Sequence, residues 1–105
     1  MAFRVEYSER AADDLSDIIS YISGELCNPQ AAERFYNNVN EKLGLLREHP
    51  HMFPFHHDKK LNAEGLRFAV IGNYLMFYLV DDDNSVVSIA RILYGRQDIQ
   101  FVFKK

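Results

Sequence analysis

Four histidines fall within nine positions of this chain, His49, His51, His56 and His57, and they are the densest group of residues able to do chemistry. Imidazole ligates metals and moves protons near neutral pH, so the cluster is the first place to look for a centre. Its context argues against one: neighbouring side chains of an extended loop point to opposite sides, and no cysteine joins them. His49 has a simpler role at a helix end, where a histidine interacts favourably with the last carbonyls. His56 and His57, with Lys59 and Lys60, read as a solvated loop or as a basic rim for an acidic partner. Cys27 is the single cysteine, which excludes an internal disulfide and a multi-cysteine metal site, and it reads as a helix-end packing residue. No metal or cofactor is expected from these residues.

The second group is cationic and aromatic. Arg67 and Arg91 lie inside apolar runs, where a guanidinium is costly to bury without a carboxylate. Each therefore either pairs with an acid such as Asp98 or faces an open surface that a partner covers. Tyr94, Arg96 and Asp98 follow around Gly95, and Phe101 and Phe103 come next, an arginine-plus-aromatic combination enriched at binding hot spots. For Phe101 and Phe103 the simpler alternative is a final strand over the core. These seven residues, Arg67, Arg91, Tyr94, Arg96, Asp98, Phe101 and Phe103, are the candidates for partner contact. The acids Glu9, Asp13, Asp14, Asp17, Glu25, Glu33, Glu41 and Glu48 mostly mark solvated helix faces, with no pair at catalytic spacing.

The elements that must hold these residues follow from periodicity. Phe3, Val5 and Tyr7 alternate with Arg4 and Glu6, as in a strand with one buried face. Ser8 then supplies an N-cap oxygen, and Ala11, Leu15, Ile18, Ile19, Ile22 and Leu26 make a helical stripe, which predicts a helix from about Ser8 to about Leu26. Asn28-Pro29 starts a second helix, whose stripe of Ala32, Phe35, Tyr36, Val39, Leu43 and Leu46 ends near His49. Two amphipathic helices joined by so short a turn form an antiparallel hairpin. Residues 50–65 lack periodicity and read as a long loop. Leu66 to Ile71, Tyr74 to Val80 and Val86 to Leu93 are strand-like runs, broken at Gly72-Asn73 and at residues 81–85, and they predict an antiparallel meander. The expected fold is α+β in the order β-α-α-β-β-β, an antiparallel sheet with the helical hairpin on one face. Both faces of the second strand are largely apolar, so the sheet is expected to keep an open face that suits a docked helix or strand.

Bulk properties bound the function. With 105 residues the chain is read as one domain over residues 1–105. A formal net charge of −3 does not favour gripping nucleic acid over a broad surface. Eight phenylalanines and six tyrosines without a tryptophan are many for this length, and some must lie at the surface or in a groove. The start of the chain has no apolar signal core and no run is long enough to span a membrane, so a cytoplasmic protein is expected.

The most recognisable text lies in the meander: Gly65-Leu66-Arg67, then residues 72–78 (Gly-Asn-Tyr-Leu-Met-Phe-Tyr), then residues 90–98 (Ala-Arg-Ile-Leu-Tyr-Gly-Arg-Gln-Asp). In this order, behind two helices and a His49-Pro50 pair, it resembles the ParE branch of the RelE/ParE toxins. Tyr94 stands where that family often has histidine, and Gln97-Asp98 where Arg-Asp is usual. The resemblance implies the toxin of a type II toxin–antitoxin, or plasmid stabilisation, system, neutralised by a cognate antitoxin and directed at DNA gyrase, with no catalytic residue.

Two rival readings come with it. One is a RelE-like, ribosome-dependent messenger RNA endoribonuclease, which needs a cation and a proton-transfer group at the scissile phosphate. On the RelE pattern Leu75 takes the place of a catalytic arginine, Gln97 that of another, and Phe103 that of a tyrosine, none of which supplies the required charge or hydroxyl. The other is an inactive toxin-fold module that only binds an antitoxin.

Overall fold

A computed structural model describes residues 2–95 of the chain. Its elements are β1 (Arg4–Tyr7), α1 (Glu9–Ser20), a π-helical turn (Tyr21–Glu25), α2 (Pro29–Glu48), α3 (Lys59–Ala63), β2 (Arg67–Ile71), β3 (Tyr74–Asp81) and β4 (Val86–Tyr94). The mixed α+β order agrees with the expected one.

Both predicted caps form. Ser8 Oγ accepts from the Ala11 N–H at 3.0 Å, and Asn28 Oδ1 accepts from the Ala31 N–H at 3.1 Å. Between them the first helix closes with the π turn, where the Leu26 N–H reaches back to the Tyr21 carbonyl and the Asn28 N–H to the Ile22 carbonyl. Cys27 ends that turn in the left-handed region, at φ 49°, and is exposed. It is a helix-end residue as expected, but it shapes the turn and does not pack in the core.

The sheet order is β1-β4-β3-β2. β2, β3 and β4 form the predicted antiparallel meander, whereas β1 runs parallel to β4 from Arg4↔Val86 to Tyr7↔Ile89. The sheet is therefore mixed. Three α-helices and two strands separate β1 from β4, and that crossover returns the chain in the same direction. Gly72 takes φ 59° to make the tight β2–β3 turn. Gly95 answers a different need: its N–H donates to the Asn73 carbonyl at 2.8 Å, and a Cβ there would stand 3.2 Å from the same oxygen.

The main core lies between the hairpin and one sheet face. Ala11, Ile18, Phe35, Val39 and Leu46 of the helices meet Met76, Tyr78, Val87, Ile89 and Ile92 of the sheet. The opposite face differs from expectation. It is not left open along its length, because α3 lays Leu61 over Leu66, Phe77 and Leu93 and builds a second, smaller cluster. Val70 and Leu79 stay exposed on the sheet. The segment 50–65 is thus not one irregular loop: Asp58 caps α3 by accepting from the Lys60 and Leu61 N–H groups, and Phe55 bridges to Arg67. A helix of five residues is too short to show a periodic stripe.

Candidate functional site

Ser8 ties the start of α1 to the sheet. Its N–H donates to the Ile89 carbonyl and its hydroxyl to the Ala90 carbonyl, both at 2.9 Å. The helix leaving this anchor passes beside the end of β4, where β1 no longer pairs. A bulge at Ala90 shifts the β3–β4 register, so that Phe77 opposes Arg91 and Tyr78 opposes Ile89.

There Asp14 of α1 receives three hydrogen bonds. Arg91 donates Nε at 2.8 Å and Nη2 at 3.0 Å in a two-pronged contact, and the Ile92 N–H donates at 3.0 Å. The two side chains are only 16 and 15% exposed. Asp14 thus does for β4 what another strand would do, and its carboxylate holds the Arg91 guanidinium firmly protonated against the opposing effect of burial. Asp14, read as a solvated helix position, is corrected to a part-buried anchor. Arg91 pairs with an acid as one alternative required; that acid is Asp14, and the suggested Asp98 lies outside the described residues.

Tyr94, three residues on, is 37% exposed and meets Tyr74 edge to face at 5.6 Å, and Tyr74 in turn meets Phe35 at 5.2 Å. Burial, and then the neighbouring phenols of Tyr21 and Tyr94, push the Tyr74 hydroxyl's pKa up. Arg91 and Tyr94 are therefore neighbours at one end of β4.

Arg67 is elsewhere, on the edge strand β2. One guanidinium nitrogen donates to the carbonyls of His51 at 3.2 Å and Phe53 at 2.7 Å, and its carbon lies 4.0 Å from the centre of the Phe55 ring. This arginine stitches the segment after α2 onto the sheet and uses carbonyls and a ring in place of an acid. Tyr78, beside it across β3, buries its hydroxyl without a hydrogen bond among the described residues. Burial raises that phenol's pKa; the Phe53 backbone, close to the hydroxyl but outside hydrogen-bond geometry, and the Arg67 charge oppose the rise.

The histidines separate as their spacing suggested. His49 caps α2 through its backbone N–H, bonded to the Leu45 carbonyl. His51 places Nε2 2.9 Å from an Asp82 carboxylate oxygen. His56, read as part of a solvated loop or basic rim, is corrected: it is 6% exposed and packs on Phe68 and Phe77. Its Nδ1 accepts from the Asp58 N–H at 3.0 Å. Burial first, then the adjacent His57, lower its pKa, and Asp58 opposes them. Among the described residues no three metal-ligating side chains converge, and no helix is long and apolar enough to cross a membrane.

Of the seven candidates, Arg91 and Tyr94 are brought together and Arg67 is set apart. Arg96, Asp98, Phe101 and Phe103 lie outside the described residues, as does Gln97. Leu75 packs, partly buried, against the small cluster of Leu61, Leu66, Phe77 and Leu93, so an apolar side chain stands in the place of a RelE-type arginine.

Comparison with known proteins agrees with this architecture. The chain is similar to the solved structures of the chromosomal ParDE toxin–antitoxin system from P. aeruginosa (16% identity, TM-score 0.68, covering 89% of this chain and 96% of that one). It is also similar to the RelBE2 toxin–antitoxin complex from Mycobacterium tuberculosis (21%, 0.64, 90% and 99%). A third similar structure is the archaeal RelE–RelB complex from Pyrococcus horikoshii OT3 (18%, 0.60, 92% and 99%). At these identities the likeness establishes the fold. No curated protein sequence matches the chain. The family model of the ParE toxin of type II toxin–antitoxin systems matches residues 5–99. Spanning nearly the whole chain, that match makes it a member of the ParE toxin family of type II toxin–antitoxin systems.

Proposed function

We propose that this toxin works by binding proteins: a cognate antitoxin holds it inactive in the cytoplasm, its target when released is DNA gyrase, and the pair serves plasmid stabilisation. The observation that carries this reading is the ParE-type match over residues 5–99. The geometry supports it. Arg67 of β2 and Arg91 of β4 are committed to partners inside the fold, and Leu75 packs, partly buried, against a core cluster. A scissile phosphate needs a cation and an acid or base presented together, and neither arginine is presented that way. The structural likeness to RelE proteins keeps one second reading in view, a ribosome-dependent endoribonuclease acting on messenger RNA.

Induced expression with parallel readouts of plasmid topology and messenger RNA integrity separates the two. Relaxed plasmid with intact transcripts is the expected result. Discrete cuts within codons, with normal supercoiling, would assign the chain to the endoribonuclease class.

A further inference from the structure

The two edges of the sheet are treated differently. At β2 the Phe68 N–H donates to the Pro54 carbonyl at 3.1 Å, the His56 N–H donates to the Leu66 carbonyl at 3.0 Å, and Phe55 bridges to Arg67. An edge covered in this way is closed to pairing with another chain. β1 has no such cover along its length. Arg4 and Ser8 turn their N–H groups inward, to the Ser85 and Ile89 carbonyls, both at 2.9 Å. Backbone groups alternate in direction along a strand, so Val5 and Tyr7 turn theirs outward, where no described residue takes them. Only the Phe3 N–H, just before the strand, is used on that side, by the Arg47 carbonyl.

Charges on an edge strand ordinarily repel a chance partner. β1 carries two, Arg4 and Glu6, with side chains 68 and 52% exposed, and their spacing puts both on one face of the strand. Within one copy they pair with each other, Arg4 Nε to Glu6 Oε1 at 2.8 Å. Their order about Val5 changes what a second copy would meet. A copy turned about a twofold axis at Val5 runs antiparallel to the first and sets Val5 against Val5. Arg4 then faces Glu6 of the second copy, and Glu6 faces its Arg4. These fall at the positions without ladder hydrogen bonds, where facing residues stand closest, while Val5 exchanges its outward N–H and C=O with its counterpart. Repulsion becomes an alternating network of opposite charges.

The same register sets Tyr7 opposite Phe3 of the second copy, an aromatic cross-strand pair. Tyr7 is exposed, as is Tyr36 of α2, and the Tyr36 phenol and the Arg47 guanidinium both act electrostatically on the Tyr7 hydroxyl, so the three side chains are neighbours. Tyrosine and arginine are the side chains that most often anchor protein interfaces. The twofold axis stands perpendicular to the sheet and keeps both helical hairpins on one side, which brings the two patches together. From the uncovered edge and its self-complementary charges we infer that a second copy of this chain docks on β1, joining the two sheets into one across a twofold axis at Val5. A ladder this short makes a small interface, of the weak and concentration-dependent kind. The inference goes beyond the function proposed above and does not depend on it.

The test is sedimentation velocity on the full-length chain alone, over about a hundredfold range of concentration, with amide exchange measured at both ends of that range. The wild type should pass from monomer to dimer. Val5 and Tyr7 amides should gain protection as concentration rises, while those of Arg4 and Ser8 are protected throughout. Arg4→Glu sets like charges at both facing positions and should raise the dimer dissociation constant about tenfold, as should Glu6→Arg. Arg4→Glu combined with Glu6→Arg restores opposite charges in reverse order and should return the wild-type constant, which damage to the strand would not do. Both positions are exposed, and thermal melts check that each variant folds. A chain that stays monomeric, a dimer indifferent to the single reversals, or single losses that the double reversal does not recover would each overturn the proposal. So would protection of Val5 and Tyr7 by purified antitoxin without self-association, which would give the edge to that partner.

Discussion

Two ends of the sheet solve the same problem, an arginine on an apolar strand, by different means. At the end of β4, Arg91 is locked to one carboxylate that also receives a backbone N–H, and both side chains are nearly buried. At β2, Arg67 stays half-buried and spreads its donors over two loop carbonyls and the Phe55 ring. The difference is one of dependence. A buried ion pair leaves an uncompensated charge when either member is lost, whereas a guanidinium at the rim can be rehydrated. The Asp14–Arg91 end should therefore behave as one cooperative unit, and the Arg67 end as a set of separable contacts.

The largest effect tests the first half of that contrast. Asp14→Ala strands Arg91 and the Ile92 N–H together and should cost about 3 kcal/mol, lowering Tm on the order of 10 °C in a thermal melt. Asp14→Leu combined with Arg91→Met should recover much of this, because an apolar pair leaves no buried charge. A double variant no more stable than Asp14→Ala would break the comparison.

Arg67→Ala should cost less, about 1–2 kcal/mol by urea unfolding, since it removes hydrogen bonds to carbonyls and a ring contact at a partly hydrated site. Cleavage by a protease should increase within residues 50–58 and nowhere on α1. Equal destabilisation by Arg67→Ala and Asp14→Ala would erase the distinction.

The Arg67 end also carries a pH dependence, through His56. Its pKa is lowered in the fold, so the unfolded chain binds the proton more readily. Its contribution to stability is complete above the ordinary histidine value of about 6.5 and is lost as pH falls through the lower folded value. Unfolding measured from pH 7.5 to 5 should show that decline, and His56→Asn, which keeps a hydrogen-bond acceptor for the Asp58 N–H, should reduce it. The smallest effect belongs to Tyr78→Phe, expected to be neutral or slightly stabilising because it removes a buried hydroxyl that has no hydrogen bond among the described residues. A loss above about 1 kcal/mol would mean that the hydroxyl is satisfied after all.

Much of this fold was legible from local signals. Ser8 and Asn28 announce their helices because capping depends on a side chain and an N–H three residues away. Gly72-Asn73 announces the hairpin because a tight turn depends on the backbone freedom of its own residues, here Gly72 at φ 59°. The motif glycine Gly95 has a structural account as well, its close approach to the Asn73 carbonyl. What was hidden depends on distance in space. Asp14 looks like any acid on a solvated helix face, and its partner lies 77 residues away. His56 looks solvated because the rings it packs on, Phe68 and Phe77, lie on strands distant from it in sequence. The parallel pairing of β1 depends on a crossover that no local pattern shows. Of the candidate contacts, Arg91 and Tyr94 proved to be neighbours, but the acid and the π turn that organise their surroundings carried no signal of that role.

The most direct test of the account is to add purified toxin to gyrase supercoiling relaxed plasmid, with and without the antitoxin. Inhibition that rises with toxin concentration and is reversed by the antitoxin is the predicted result. Unimpaired supercoiling at toxin excess, with an Asp14→Leu/Arg91→Met variant equally inert, would contradict the gyrase assignment.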